Sequence, residues 1–320
     1  MRTMPSGNAP SKLYKYRSIS DRTIELLITD QVYFADPSTF NDPLDTRPSV
    51  RADAPAGVLQ DALRELIQRR IERELSAAAK TIKYQGPKTL QHITELSQKQ
   101  AQRKLSQISY LASESGDLDA RGTDHLRLLE NALQTELLLR YEKGILSLAE
   151  RYSCPLMWSH YADQHKGICI GYEVTDSPYP PLKVQYGGSR EILGSQIAAM
   201  MRSGGRAQDE VDAAVLLRKA RSWAYEKEWR SIAPKGLTEN PFKLSDVTFG
   251  LRCSEPVKFA VMASLSKRAG AQVRFYEMTE SRINFSLSRR RIHPDSHDYY
   301  PKSAFEERNY FDLRLSPEQA

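Results

Sequence analysis

Apolar and polar positions change rhythm twice along the chain. Up to residue 47 the pattern is short and mixed. LYKYRS (13–18) alternates as a strand does. DRTIELLITD (21–30) has helical spacing behind a Ser20–Asp21 cap, and VYFADP (32–37) reads as a second strand closed by Pro37. STFNDPLDTR (38–47) is a polar loop built on an Asn-Asp-Pro turn. From 56 to 143 the period is helical. Leu59, Leu63, Leu66, Ile67 and Ile71 recur at that spacing, as do Leu126, Leu129, Leu133, Leu137 and Leu138. TLQHITELSQKQAQRKLSQISYL (89–111) lies between them after a Gly-Pro break at 86–87, so the block predicts about three helices, the first two net basic. From 144 strands return: 144–150, 166–174, 182–187, 228–234, 246–254, 271–279 and 284–291, with helical stretches at 189–205 and 209–229.

Strands and helices do not alternate strictly, which predicts an α+β fold rather than a doubly wound sheet. The expected organisation is a single α+β domain over 12–290, interrupted by a helical insertion at 56–143. Residues 1–11, rich in Pro, Gly, Ser and Asn, are expected to be a flexible tail. Residues 291–320 mix charges and aromatics without a period and are expected to be a partly ordered tail. The insertion is expected to act as a lid, or as an oligomerisation or partner surface.

Composition narrows the classes. Of 320 residues, 40% are hydrophobic and 27% charged, which suits a packed core and argues against global disorder. The 46 basic and 40 acidic residues leave a net charge of +6, enough to permit an anionic partner without requiring one. No apolar run has the roughly 18 residues of a membrane span, and the N-terminal stretch has no signal-like apolar region, so no membrane partner is expected. Cys154, Cys169 and Cys253 form no CxxC pair, which points to a reducing, cytoplasmic setting. There is no GxxxxGK[ST], GxGxxG after a strand, HExxH or GxSxG, which argues against P-loop, Rossmann, zinc-protease and α/β-hydrolase chemistry.

Four clusters carry candidate chemistry. MWSHYADQHKG (157–167) packs Trp158, His160, Tyr161, Asp163, His165 and Lys166 into eleven residues. Its two histidines, five apart, do not share a helix face, so no metal is expected there. Either could be a general acid or base, or both could simply cap a turn anchored by Trp158 and Tyr161. SWAYEKEWR (222–230) sets Glu226, Glu228 and Arg230 on one face if the segment is extended, with Tyr225 and Trp229 on the other. Paired carboxylates beside an Arg suit a developing cation or a sugar hydroxyl; they also suit a solvent-face ion pair. YKYRS offers Tyr14 and Tyr16 on one strand face and Lys15 and Arg17 on the other, for rings and phosphates respectively, or merely as good strand residues. STFNDP contributes Ser38, Thr39, Asn41 and Asp42, whose simplest role is to build a turn.

Taken in order, these motifs (Y-K-Y, F-N-D-P, M-W-x-H-Y-A-x-x-H-x-G and W-x-Y-E-x-E-W-R) resemble a large bacterial family known only as a domain of unknown function. The match covers about residues 12–290. The order of pieces also resembles an ADP-ribosyltransferase fold, which implies a split, mostly antiparallel sheet and NAD as substrate. On that resemblance Tyr14 to Arg17 supply the first-strand element, Ser38 and Thr39 the small-hydroxyl motif, and Glu226 and Glu228 the E-x-E pair. Glu228 would stabilise the oxocarbenium-like state and Glu226 would orient or activate the acceptor. Tyr14 or Tyr16 would stack on nicotinamide, and Lys15 or Arg17 would meet the pyrophosphate. The wider NAD-contacting set takes in Asn41, Asp42, Trp158, Tyr161 and Arg230. The resemblance implies ADP-ribosyl transfer to a protein or nucleic acid, or NAD hydrolysis, with a toxin or phage-defence role as expected context. Two alternatives stand beside it. One is a nuclease or phosphodiesterase using His160 and His165 with Lys166 and Arg230 on phosphate. The other is a nucleotide- or nucleic-acid-binding module built on the aromatic residues.

Overall fold

The computed structural model describes residues 9–83, 86–114, 120–141, 143–268 and 272–294. In chain order the elements are β1 (Lys12–Arg17), α1 (Asp21–Ile28), β2 (Gln31–Phe34), β3 (Ser49–Arg51), α2 (Ala56–Thr81), α3 (Thr89–Ser113), α4 (Ala120–Arg140), β4 (Gly144–Ala149), α5 (Pro155–Tyr161), β5 (Ile168–Glu173), β6 (Leu182–Lys183) and β7 (Gln185–Tyr186). There follow β8 (Glu191–Leu193), α6 (Gly194–Ser203), α7 (Gly205–Leu216), β9 (Arg218–Lys219), β10 (Glu228–Ala233), β11 (Gly236–Glu239), β12 (Lys243–Phe249), α8 (Glu255–Ser266), β13 (Arg274–Glu280) and β14 (Leu287–Ile292). The α+β class is as the hydrophobic pattern predicts. The flexible tail expected at 1–11 falls mostly outside the described residues, as does most of 291–320, although β14 extends the fold to Ile292.

Eight strands form a sheet in the order β14-β13-β12-β5-β1-β4-β10-β6. Every pairing in it is antiparallel except β12 with β13. One seam differs from the rest. β1 pairs with β5 over six residues and β10 with β4 over six, yet β1 and β4 share the single pair Tyr14–Ala149. The sheet is held together there at one point and splays beyond it. Lys15 spans the gap with its side chain, Nζ donating to Ser147 O at 2.9 Å.

Two cores flank the sheet. The larger joins Leu59, Leu63, Leu66 and Ile67 of α2, Leu105 and Ile108 of α3, and Leu129, Leu133 and Leu137 of α4 to Ile197, Met200 and Val215 of α6 and α7. The helical block is therefore three helices, as its period predicts, and it is integral to one core. Its polar side chains also terminate loose ends: Gln134 Oε1 accepts from Val50 N at 3.2 Å and Glu130 Oε1 from Ala52 N at 2.6 Å. The second core sets Leu13, Phe34, Leu146, Ile170 and Val247 against Leu27 of α1 and Val261 and Met262 of α8. Among the described residues no helix is long and apolar enough to cross a membrane.

Three local expectations are corrected. The helix expected at 209–229 stops at Leu216, because its last carbonyls find other donors: Arg230 Nη1 reaches Leu216 O at 2.7 Å and Gln185 N reaches Leu217 O at 2.7 Å. The chain then forms β9, a tight 3-10 turn at Arg221–Glu226 and a left-handed Lys227 with φ 44°, so only Glu228 onward is extended. Helix α8 was not expected; its Ser-Glu-Pro start, with Pro in the first turn, is the signal that marks it. Finally, the motif at 157–167 opens inside a short helix, α5, begun by Pro155, and turns only after Tyr161.

Candidate active site in the splayed sheet

A cavity of about 440 Å³ opens where β1 and β4 part, within the size range of small-molecule sites. Among the described residues, none of those lining it comes from 56–143, so the described part of the insertion does not cover the cavity as a lid would.

One wall is a buried ion network. Arg230, on β10, has no exposed surface. Its Nε donates to Glu228 Oε1 at 2.9 Å, and its Nη2 to Asp45 Oδ2 at 2.7 Å and Oδ1 at 2.9 Å. Lys219 Nζ, brought in by β9, donates to Glu228 Oε2 at 2.9 Å and to Glu226 Oε2, and lies 3.5 Å from Asp45. Tyr161 OH donates to Glu226 Oε1 at 2.6 Å, and Asn41 Nδ2 reaches that hydroxyl at 3.5 Å. The amide of Glu228 donates to Tyr186 OH at 2.7 Å. Glu226 and Glu228 thus meet, not by lying along one strand face, but because the 3-10 turn and left-handed Lys227 fold Glu226 back onto Lys219.

The network divides the two glutamates. Burial alone would raise both, but Arg230 and Lys219 together hold the Glu228 carboxyl down at about 2. Glu226 lacks the arginine, so burial keeps it above the usual carboxylate range despite Lys219. Such a split pair sets a carboxylate that stays ionised beside one that takes up a proton more readily. Lys219 is raised: burial works against its charge, and the two glutamates more than offset that.

The cavity also has a cationic lining. Lys15, Arg17 and Arg22 all line the cavity, the Arg22 guanidinium lying 4.1 Å from the Tyr33 ring centroid. Burial, reinforced by Arg17, lowers Lys15 to about 8. The lining thus carries both signs of charge: the carboxylates Asp45, Glu226 and Glu228, and the cations Lys15, Arg17, Arg22 and Lys219. Such a cavity suits a ligand that has anionic groups as well as hydroxyl-bearing or cationic ones.

Of the residues singled out from sequence, Lys15, Arg17, Thr39, Asn41, Tyr161, Glu226 and Glu228 line this cavity together. Others do not serve as expected. Tyr14 and Tyr16 edge the cavity, but their rings turn to the other face of β1, into a cluster with Trp158, Met157, Cys169 and Met278; Tyr16 OH bonds Arg151 O at 2.7 Å. They are packed side chains rather than a free stacking surface. Trp158 is fully buried, with Nε1 bonded to Tyr152 O at 2.7 Å, and offers no face to a ligand. Truncating it is a test of that role: Trp158→Ala is expected to cost about 3–5 kcal/mol of folding stability, read by chemical denaturation, with no selective effect on ligand affinity. Arg230 is committed to Asp45 and Glu228, which corrects its expected place on phosphate. Ser38 lies on an exposed turn and does not line the cavity, and Asp42 accepts from Trp223 Nε1 at 2.8 Å.

His160 and His165 are also outside the cavity. His165 closes a run of three left-handed residues, Asp163, Gln164 and His165, at φ 45°, 52° and 73°. Its ring stacks on Trp158 at 6.0 Å, its carbonyl accepts from Arg252 N at 2.9 Å, and its Nδ1 is buried without a partner among the described residues. Gly167 ends this turn where a Cβ would meet Arg17 O at 2.2 Å. The histidine motif therefore shapes a turn rather than a catalytic pair. Among the described residues no three His, Cys, Asp or Glu side chains could hold a metal ion.

Asp45, Lys219, Arg22 and Tyr33 complete the site and were not anticipated. Asp45 stands in the same NDPLD segment as Asn41 and Asp42, and its burial at 5% exposure, unusual for aspartate, is visible only once Arg230 is placed against it. No family model, curated protein or solved structure matches the chain.

Proposed function

We propose that the protein binds NAD in the cleft between β1 and β4 and cleaves its nicotinamide–ribose bond, passing ADP-ribose to an acceptor or to water. One observation carries this reading: a carboxylate held ionised, Glu228, lines the same cavity as Lys15, Arg17 and Arg22, where the sheet splays. The pyrophosphate meets Lys15, Arg17 and Arg22. The ribose carbon lies toward Glu228, whose fixed negative charge opposes the positive charge that builds as the bond to nicotinamide breaks. The electron pair of that bond leaves with nicotinamide. Glu226, poised to accept a proton, takes it from the incoming nucleophile.

The single-pair seam between β1 and β4 supports the ADP-ribosyltransferase-like arrangement that the motif order implies. The alternative phosphodiesterase draws no support from the contacts of its residues, since His165 packs on Trp158 and Arg230 is buried in ion pairs. The three cysteines are free, which favours a reducing compartment and with it the cytoplasm.

Lys15 gives the reading a pH signature. Lys15 is charged below about 8 and neutral above it. NAD affinity, followed by calorimetry, is expected to weaken as pH rises through 8, and Lys15→Met is expected to bind weakly and lose that step. Binding that is absent at every pH, or independent of Lys15, counts against the assignment.

A further inference from the structure

A row of four rings stands next to Glu226: Tyr161, at one end, lines the cavity, and Trp223, Tyr225 and His160 do not. Trp223 and Tyr225, both on the 3-10 turn, have ring centroids 6.0 Å apart. Tyr225 lies 6.4 Å from His160, and His160 lies 6.3 Å from Tyr161. Tyr161 in turn donates to Glu226, and Lys219 Nζ lies 5.3 Å from the centroid of the Trp223 ring. The row therefore begins and ends on side chains of the ion network. None of the four rings is buried, and His160 is exposed. Tyr161 and Tyr225 rest on the cluster that holds Tyr16 and Trp158, but the row stays open on its other side, and Trp and Tyr rings gain most from being covered. Two features hold it in place. The Trp223 indole is pinned through Nε1 to Asp42, and Tyr161 through its hydroxyl to Glu226, so the rings are set before any ligand arrives. The turn that carries Trp223 and Tyr225 is also bracketed by basic residues, exposed Arg221 at its start and half-exposed Lys227 just after it, and neither makes an ion pair among the described residues.

We propose that this shelf is the acceptor site and that the acceptor is single-stranded nucleic acid. This rests on the NAD reading above. Every base has a flat face that stacks on Trp, Tyr or His, and the phosphates between bases meet Arg221 and Lys227. A polypeptide would have little use for a row of rings with cations at its sides, whereas a stacked strand uses both. The shelf ends at Tyr161, so a base or hydroxyl at that end is delivered to Glu226. The transfer balances: the nicotinamide C–N bond breaks with its electron pair on nicotinamide, the acceptor nitrogen or oxygen bonds the ribose carbon, and the acceptor proton passes to Glu226.

The test uses the full chain and a fluorescein-labelled 12-nucleotide oligothymidylate and oligouridylate. Affinity is read by anisotropy at several salt concentrations, and transfer is read from labelled NAD. The wild type is expected to bind at least one oligonucleotide, more weakly as salt rises, and to pass label to it. Tyr225→Ala and His160→Ala are expected to weaken binding about tenfold or more, and Arg221→Glu with Lys227→Glu to flatten the salt dependence. Thermal unfolding of each variant separates this from misfolding, and Tyr225→Phe, which keeps the ring, is expected to restore binding. If NAD is cleaved but no oligonucleotide binds, or label appears on added protein instead, the acceptor assignment is overturned while the NAD reading stands. If oligonucleotides bind equally well to the ring variants, the shelf assignment is overturned. Nicotinamide release, measured on the same samples without oligonucleotide, reports on the NAD reading alone.

Discussion

Replacing Arg230 by methionine is expected to lower folding stability by about 3–5 kcal/mol, the cost of leaving buried charges without their partner. The guanidinium is wholly enclosed and serves three acceptors at once: Glu228, Asp45 and the carbonyl of Leu216. Removing it leaves Lys219 alone against three carboxylates and reopens the C-terminus of α7. Against a typical total of about 5–15 kcal/mol, that loss unfolds much of the population at growth temperature. Arg230→Lys rescues only partly, because an ammonium cannot hold two carboxylates and a carbonyl in one plane. Urea titration of both variants checks the ranking. The same network sets an acid limit on the wild type. The Glu228 carboxyl sits at about 2 when folded, below its ordinary value near 4.5. Its contribution is therefore complete above about 4.5 and is lost as pH falls toward 2.

The largest expected effect on activity falls on the two glutamates, and it differs between them. Glu228→Gln keeps much of the side chain's shape but removes the charge that opposes the developing cation. Nicotinamide release is expected to fall about 10²–10³-fold, the scale of losing one preorganised electrostatic group. Glu226→Gln removes a proton acceptor instead. Transfer to an acceptor is expected to fall about 10²–10⁴-fold, while release of nicotinamide falls much less. Both variants disturb the buried network, so unfolding curves must accompany the rates. Equal losses in release from both variants would contradict the division of roles drawn from their unequal partners.

Much of the architecture is legible along the chain because it follows from periodicity. The leucine spacing of 56–143 predicts three helices, the alternation in YKYRS predicts β1, and short apolar runs predict β4, β5 and β10, which are buried on both faces. The α+β class follows. What periodicity does not carry is the seam. Nothing in YKYRS or GILSLAE tells that these strands meet at one residue pair, because that depends on how the two half-sheets twist apart. The site was legible in part for the same reason. Glu226, Glu228, Lys15 and Arg17 stand out as charges in strand-rich aromatic surroundings. Lys219 does not, since it lies in a stretch whose spacing reads as continuous helix and becomes β9 only because Arg230 and Gln185 capture the helix carbonyls. The histidine cluster misleads in the opposite direction. Its density reads as chemistry, yet three left-handed residues and Gly167 show that it is dense because a tight turn is packed on Trp158.

The most direct measurement is nicotinamide release from NAD by the purified chain, followed by chromatography beside Glu228→Gln of matched fold. The account predicts release by the wild type that depends on Glu228 and increases when a single-stranded oligonucleotide is supplied. No release and no NAD binding, with nucleic-acid and protein acceptors both present, would contradict it.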